Sequence, residues 1–401
     1  MPGVGALPAI AVEPGSTRSF IAVDWNRCPP NETLAWLRVS LIHVPPRVLR
    51  ALLDYAGTAA ALLEVRAEDI SPIAGDDVAR ALSRGPDAAL FDATLRWLEH
   101  ANHHILCPAD PFYPPSLLQL GDTPPVLYAC GKKLELLAAP AIAIVGSRNA
   151  TAQGLCDAES FARALSKAGL TIVSGLAMGI DAAAHRGGLA EAGSSIAILG
   201  NGPDIVYPPR NAALASMLER DGCVLSEFAL GAPPLPGNFP RRNRLISGRS
   251  QGVLVVEAGI PSGTLSTARL ASEQGREVFA IPGSIHSPVS KGCHRLIQHG
   301  AKLVQTAQDV LEEIGWRRAR SDDAHGIEAV APPCDPVLEA LGFAAATLEQ
   351  LASRTGLDAA SLAARMSLLE LQGRVVALAG GSFQAVAPQR AAAPGLAESA
   401  L

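Results

Sequence analysis

The sequence predicts an α/β chain built on a Rossmann-like, doubly wound and mostly parallel sheet. A small helical domain precedes this sheet and a winged-helix domain follows it. Short apolar segments alternate with helical segments between residues 140 and 315. Strands that are apolar along their whole length are typical of a parallel sheet covered by helices on both faces. Leucines at helical spacing come before this region, and a helix, turn, helix, hairpin order comes after it.

The predicted sheet has six strands. They cover residues 141–145, 170–173, 195–199, 224–225, 252–256 and 277–281. One helix is predicted from the first strand to Gly169, and another over about residues 178–192. Ligands of such sheets bind beyond the carboxyl ends of the strands, so the loops that follow the strands are the candidate site.

The flanking segments complete the predicted organisation. The predicted units are a flexible arm (1–30), a small helical domain of the SAM or helix-hairpin-helix type (31–104), the Rossmann-like core (105–316), a linker (317–334), the winged helix (335–388) and a disordered tail (389–401). In the winged helix, Asp358 is predicted to cap a helix over residues 361–372.

Composition limits the classes of function. The 401 residues are 48% hydrophobic and 18% charged, which allows two or three folded domains. The net charge of −5 excludes a uniformly basic nucleic-acid binder, so DNA contact requires a local basic patch. Seven cysteines without a C-x-x-C pair favour free thiols in a reducing cytoplasm. We expect no signal peptide and no membrane span, because the first residues lack a basic region and no long apolar run occurs.

The loop after the first strand contains Gly146, Ser147 and Arg148. The glycine allows close approach of the backbone, the following helix offers free N–H groups, and the arginine supplies a fork for phosphate. Phosphate binding is therefore favoured over an ordinary turn.

The loop after the third strand, 200–204, either lines the same crevice or is a wide turn, and the sequence leaves both open.

The loop after the second strand contains Ser174 and Gly175 and also suits a phosphate. Asp181 and His185 follow it at a spacing of four and share one helix face. They form either a catalytic dyad or, the favoured interpretation, a helix-start carboxylate with a structural histidine.

The most basic segment is 239–249, in which the nine positions from 241 to 249 include four arginines. On a helix, Arg241 and Arg244 share one face, and Arg242 and Arg249 share another. We expect this run to lie beside the strand ends, where nucleic-acid contact is favoured over a solvated face. Phe239 and Tyr207 are candidates for stacking on bases, and the alternative is that they are core residues.

The remaining loops continue this pattern. Residues 262–264 open another helix and form a further anion cradle, and Lys291 either touches phosphate or is simply exposed. No dinucleotide fingerprint, P-loop, zinc motif or nucleophile elbow occurs, so we predict no cofactor, metal or catalytic residue. Anion cradles without activated acid or base groups favour binding over catalysis.

At this point the motifs identify a family resemblance. Residues 145–148, 174–181 with His185, 239–244, 257–264 and 281–284 resemble the bacterial DNA-processing protein A (Smf) family, over about 105–315. The resemblance implies a dimeric cytoplasmic protein of natural transformation that binds and protects incoming single-stranded DNA and loads the RecA recombinase onto it. It implies a sequence-independent DNA pocket formed by Gly146, Ser147, Arg148, Ser174, Gly175, Arg241, Asn243 and Arg244, to which we add Arg242 and Lys291.

Two alternatives belong to other classes. The first is a Rossmann-like enzyme that cleaves bases from nucleoside monophosphates, but Thr267 stands where its glutamate would follow Gly263 and Thr264. The second is a winged-helix transcription regulator. Arg365 is the only basic residue of the predicted helix 361–372, so a partner-binding or regulatory role is favoured over sequence reading. Arg249, where an apolar residue is common in the family, is expected to add charge to the basic patch.

Overall fold

The computed structural model describes residues 30–316, 335–342, 345–378 and 380–385. The predicted linker (317–334) and tail (389–401), and all but the last residue of the predicted arm (1–30), lie outside these residues. Within the described ranges, no helix combines the length and the apolar character needed to cross a bilayer.

Six helices form the first part of the described chain. They are α1 (Pro30–Leu41), α2 (Pro46–Ala56), α3 (Ala59–Glu64), α4 (Ala67–Ala74), α5 (Asp76–Arg84) and α6 (Ala88–Leu98). Their leucines at helical spacing, such as Leu37 and Leu52, are fully buried in one apolar cluster. The same cluster includes Ile105 and Tyr128, so the helical region packs directly against one edge of the sheet.

A nine-stranded sheet forms the centre of the molecule. Its strands are β1 (His103–Leu106), β2 (Leu127–Cys130), β3 (Ala141–Val145), β4 (Thr171–Ser174), β5 (Ser195–Ile198), β6 (Cys223–Ser226), β7 (Gly252–Val255), β8 (Glu277–Ala280) and β9 (Lys302–Leu303). They lie in the order β1-β2-β6-β5-β4-β3-β7-β8-β9. The seven strands from β6 to β9 pair in parallel, which confirms the predicted mostly parallel, doubly wound fold.

Two antiparallel strands at one edge were not predicted. β1 pairs with β2, and β2 pairs with β6. They lie on either side of a proline-rich connector, residues 107–126, and so fall outside the alternation of strands and helices from which the sheet was predicted. They join the helical region to the sheet.

Helices cover both faces of the sheet. They are α7 (Ala152–Lys167), α8 (Ile180–Leu189), α9 (Ala212–Asp221), α10 (Asn238–Arg249), α11 (Gly263–Glu273), α12 (Lys291–Gln298) and α13 (Ala307–Glu313). The chain runs from β3 outward in one direction through β4, β5 and β6, and then returns to the other side of β3 as β7. The boundary between β3 and β7 is therefore the topological switch point, where such folds bind ligands.

The last part of the described chain is a winged helix. It contains α14 (Pro336–Leu341), β10 (Ala346–Thr347), α15 (Leu348–Thr355), α16 (Ala359–Leu371), β11 (Val375–Leu378) and β12 (Ser382–Ala385). The Asp358 side chain accepts from the N–H groups of Ala360 and Ser361, as expected for a helix cap. The strands pair antiparallel in the order β10-β12-β11, which confirms the predicted hairpin.

Candidate nucleic-acid interface

A cavity of about 530 Å³ lies at the switch point, over the carboxyl ends of β3, β4 and β7. This volume is within the range of pockets that hold nucleotide-sized ligands. Its lining residues come from five loops or helix starts: Val145, Arg148, Ala177, Asp181, Tyr207, Pro234, Pro236, Phe239, Pro240, Arg242, Asn243, Ile246, Ser262, Gly263, Thr264 and Thr267. Of the ten predicted DNA-binding residues, Arg148, Arg242 and Asn243 line this cavity.

Arg242 forms the floor of the cavity, although its side chain is almost completely buried. Its guanidinium donates to the carbonyl of Gly175 at 2.7 Å and to the carbonyl of Ile198, so it joins the ends of β4 and β5. Burial lowers the pKa of Arg242 to about 10, which leaves it charged at neutral pH. Burial raises the pKa of the neighbouring Asp181 carboxyl, and the charge of Arg242 acts in the opposite direction.

Gly175 is required by this close approach. A Cβ atom at position 175 would lie 2.5 Å from the Cζ atom of Arg242. Its N–H donates to Asp181 at 3.1 Å, and its carbonyl accepts from Arg242. The glycine therefore fixes the loop after β4 by close packing on a charged group, and it does not itself line the cavity.

The loop after β3 is held by the loop after β7. A Cβ atom at Gly146 would lie 2.9 Å from the Cβ of Ile180 and 3.0 Å from the carbonyl oxygen of Glu257. The N–H of Ser147 donates to that same carbonyl at 2.8 Å, and the Glu257 carboxylate accepts from the N–H and the hydroxyl of Thr151. Gly146 and Ser147 thus position the loop that presents Arg148.

Arg148 is the exposed cation of this cavity. Its guanidinium carbon lies 5.3 Å from the centre of the Phe239 ring, and that ring lies 5.8 Å from the ring of Tyr207. Tyr207 is 39% exposed, so part of its side chain is open to solvent. The rim therefore offers a positive charge next to aromatic surfaces, the combination that binds the phosphates and bases of a single strand.

Arg241 and Arg244 lie on the other face of α10, so the prediction of one crevice that contains all the arginines was wrong. Both line a separate cavity of about 460 Å³, together with residues 40, 41 and 43–46 of the helical region. Arg244 pairs with Glu227 at 2.6 Å and with Asp122 at 2.7 Å, and its side chain is only 12% exposed. Arg241 pairs with Glu227 at 3.4 Å. The expected sharing of helix faces is correct, but the two faces of α10 meet different cavities.

Three further predictions need correction or a different placement. The Ser174 hydroxyl is fully buried and donates to the carbonyl of Ile144 at 2.7 Å, so it does not line the cavity. Arg249 is buried and donates to the carbonyls of Leu136 and Ala139, so it adds no charge to a surface patch. Lys291 is exposed at the start of α12, after β8 and outside the cavity.

Asp181 and His185 are not hydrogen-bonded to each other. The N–H of Leu176 donates to Nε2 of His185 at 3.2 Å, which leaves Nδ1–H to donate to Ser195 at 2.7 Å. Burial lowers the pKa of His185 to about 3, so the ring is neutral. Asp181 accepts from two backbone N–H groups. This geometry agrees with the structural interpretation of the pair.

In the described residues, each carboxylate in the loops that follow the strands has a hydrogen-bond or ion-pair partner. Asp204 accepts from the N–H of Gly231, Glu227 pairs with arginines, and Glu257 accepts from Thr151. Burial raises the pKa of Glu227, and Arg244 and Arg241 oppose that rise. The cavity lining itself contains two arginines and one carboxylate, so its formal charge is positive in a chain whose net charge is negative.

Sequence reasoning missed part of the lining. Pro234 and Pro236 come from the loop after β6, and Thr267 comes from the first turns of α11, next to the predicted cradle of residues 262–264, which does line the cavity. The loop that contains Pro234 and Pro236 also follows a strand end, where ligands of such sheets bind. Because neither proline has a polar side chain, the sequence offered no chemical reason to choose this loop.

The family profiles and the related sequences indicate one family. The family profile described as DNA recombination-mediator protein A matches residues 104–315, and that of the DprA winged helix domain matches residues 319–381. Protein Smf of Escherichia coli K12 is 43% identical over 299 residues, which are 73% of this chain and 80% of that protein.

Two comparisons involve Streptococcus pneumoniae. Its DNA processing protein DprA is 48% identical over 204 residues, which are 51% of this chain and 72% of that protein. An X-ray structure of DNA processing protein A from this species has a TM-score of 0.63 at 38% identity, and the match covers 70% of this chain and 97% of that chain.

Proposed function

Because the chain belongs to the DNA recombination-mediator protein A family, we propose that its switch-point cavity binds single-stranded DNA without reading the sequence. The exposed Arg148 guanidinium beside the rings of Phe239 and Tyr207 is the observation that carries this proposal. An aromatic face stacks on any base, and a guanidinium pairs with any phosphate. Neither contact depends on which base is present.

The charge of the site supports a polyanionic ligand. Arg148 is exposed, Arg242 is charged beneath it, and the carboxylates of the surrounding loops have partners. The Asp181 carboxylate lies beside Arg242 and accepts from the N–H groups of Gly175 and Ala177, so its charge is compensated locally. The charged residues that line the cavity are two arginines and this one carboxylate, so a phosphate meets a net positive cavity.

We also propose that the site binds DNA without catalysing a reaction on it. The position at which nucleoside-monophosphate hydrolases have a glutamate is occupied by Thr267, a buried residue that lines the cavity. His185 is hydrogen-bonded to Ser195 and to the N–H of Leu176, and it does not line the cavity. Incubation with nucleoside monophosphates should release no base.

In the cell, we propose, the protein protects incoming single-stranded DNA during natural transformation and loads RecA onto it as a cytoplasmic homodimer. The family description as a recombination mediator supports this role. If it is right, the protein accelerates RecA-dependent ATP hydrolysis on strands coated with single-strand-binding protein. Sedimentation then gives twice the mass of one chain.

The binding proposal is tested with labelled oligonucleotides at several salt concentrations. For single strands, the slope of log affinity against log salt is about −0.7 per phosphate contact. Arg148→Ala should weaken binding about tenfold and flatten the slope by about 0.7, because one phosphate contact is lost. Arg163→Ala is the matched control, since Arg163 is an exposed arginine on α7 that pairs with Glu159.

Two results would contradict the proposal. One is an Arg148→Ala variant that binds with the affinity and salt slope of the wild type. The other is a strong preference for duplex over single-stranded DNA, which would favour the winged-helix regulator.

A further inference from the structure

Two large apolar side chains are exposed at the carboxyl edge of the sheet, just beyond the switch-point cavity. Ile285, in the loop after β8, is 73% exposed, and Ile260, in the loop after β7, is 50% exposed. Single exposed apolar residues are common, but these two stand in neighbouring loops on the same edge. Neither is used by the DNA site described above.

The two loops form one continuous surface with the cavity. Ile260 precedes Ser262, which lines the cavity, by two residues. The N–H of Ala258 donates to Val289 at 2.7 Å, and the N–H of Gly292 donates to Ala258 at 2.8 Å, so the loops after β7 and β8 are bonded to each other. The surface therefore continues from the cavity rim towards β8 without a gap in the backbone.

The charge of the surface formed by the loops after β7 and β8 suits a polyanion. Residues 281–290 contain no acidic side chain, and the Glu257 carboxylate at the start of the neighbouring loop is bonded to Thr151. His286 follows Ile285 directly, Lys291 lies six positions after Ile285, and both side chains are exposed. An apolar surface next to an unpaired cation is complementary to the bases and phosphates of a strand.

We infer that the strand leaves the cavity across this surface, with its bases against Ile260 and Ile285 and a phosphate on Lys291. This inference rests on the proposed function, because the strand must first occupy the cavity. From β3 to β8 there are two strand spacings of about 4.8 Å, or about 10 Å in all. At about 3.4 Å for each stacked nucleotide, the surface holds about three nucleotides.

The test compares oligothymidylates of increasing length, from strands that fill only the cavity to strands about six nucleotides longer. The variant is Ile285→Ser combined with Lys291→Gln. Its control is Met217→Ser combined with Lys132→Gln, which removes an exposed apolar residue and an exposed lysine elsewhere. All proteins are first compared by thermal unfolding.

For the wild type, affinity should rise with length until about three nucleotides extend beyond the cavity. The double variant should bind the shortest strands normally and the long strands about fivefold more weakly, with a salt slope smaller by about 0.7. The control should follow the wild type at every length.

Failure of the inference is distinguishable from failure of the proposed function. The inference is wrong if the double variant binds strands of every length like the wild type, or if it loses affinity equally at all lengths. In either case, weaker binding by Arg148→Ala would still support DNA binding in the cavity. If the wild type binds no strand of any length, both proposals are wrong.

Discussion

Replacing Gly175 by alanine should displace the Arg242 guanidinium that joins the ends of β4 and β5. The added Cβ would lie 2.5 Å from the Cζ and Nη2 atoms of Arg242. The guanidinium would then lose its bond to Gly175, its bond to Ile198, or both. Because hydrogen bonds to charged groups contribute about 1.5–3 kcal/mol each, we expect a loss of about 3 kcal/mol in the free energy of unfolding. For a core of this size that corresponds to a melting temperature lower by about 6–12 °C.

Gly263→Ala is the matched control for this experiment. Gly263 lines the same cavity at the start of α11, and a Cβ atom there would have no neighbour within 4 Å. Urea and thermal unfolding of both variants give the comparison. The role assigned to Arg242 would be refuted if Gly175→Ala unfolded at the temperature of the wild type, or if Gly263→Ala lost as much stability.

Three further perturbations have defined outcomes. The folded pKa of His185 is about 3 and its unfolded pKa is about 6.5, so only the unfolded state takes up a proton between these values and stability falls as pH falls. Urea unfolding should show that lowering the pH from 7.5 to 5 costs the wild type about 2 kcal/mol more than His185→Gln, and an equal cost would contradict a buried neutral ring. Glu257→Gln should reduce the affinity for single strands about threefold, as measured by fluorescence anisotropy. The reason is that weaker hydrogen bonds to Thr151 release the loop that presents Arg148. Unchanged affinity would show that the loop is held by its backbone alone. Asp358→Ala should destabilise α16 by about 1 kcal/mol, and faster hydrogen exchange at Ala360 and Ser361 is the measurement that decides it.

The fold was predictable from the sequence because its strands are buried on both sides. Uninterrupted apolar segments such as 141–145 carry their own signal, and the glycines and serines that follow them mark the strand ends. β1 and β2 carried no such signal, because their pairing depends on the helical region that packs against Ile105 and Tyr128.

The site was predictable only in part. The spacing of the arginines gave their helix faces correctly, but nothing in the spacing says which face meets the cavity. That choice depends on Glu227, a buried carboxylate that follows β6 and attracts Arg241 and Arg244 to its own side. Long-range pairing of this kind is decided by the tertiary structure, and a single sequence does not reveal it.

The helical region packs on the sheet through an apolar cluster, and the Arg244–Glu227 ion pair that lies beside this contact is shielded from solvent. Glu227 is 2% exposed and Arg244 is 12% exposed, whereas Arg148 is open to solvent. Dissolved ions screen open charges strongly and shielded pairs weakly. Raising the salt concentration should therefore release the nucleic acid while the two parts of the protein stay joined, so that a salt titration measures dissociation from an intact molecule.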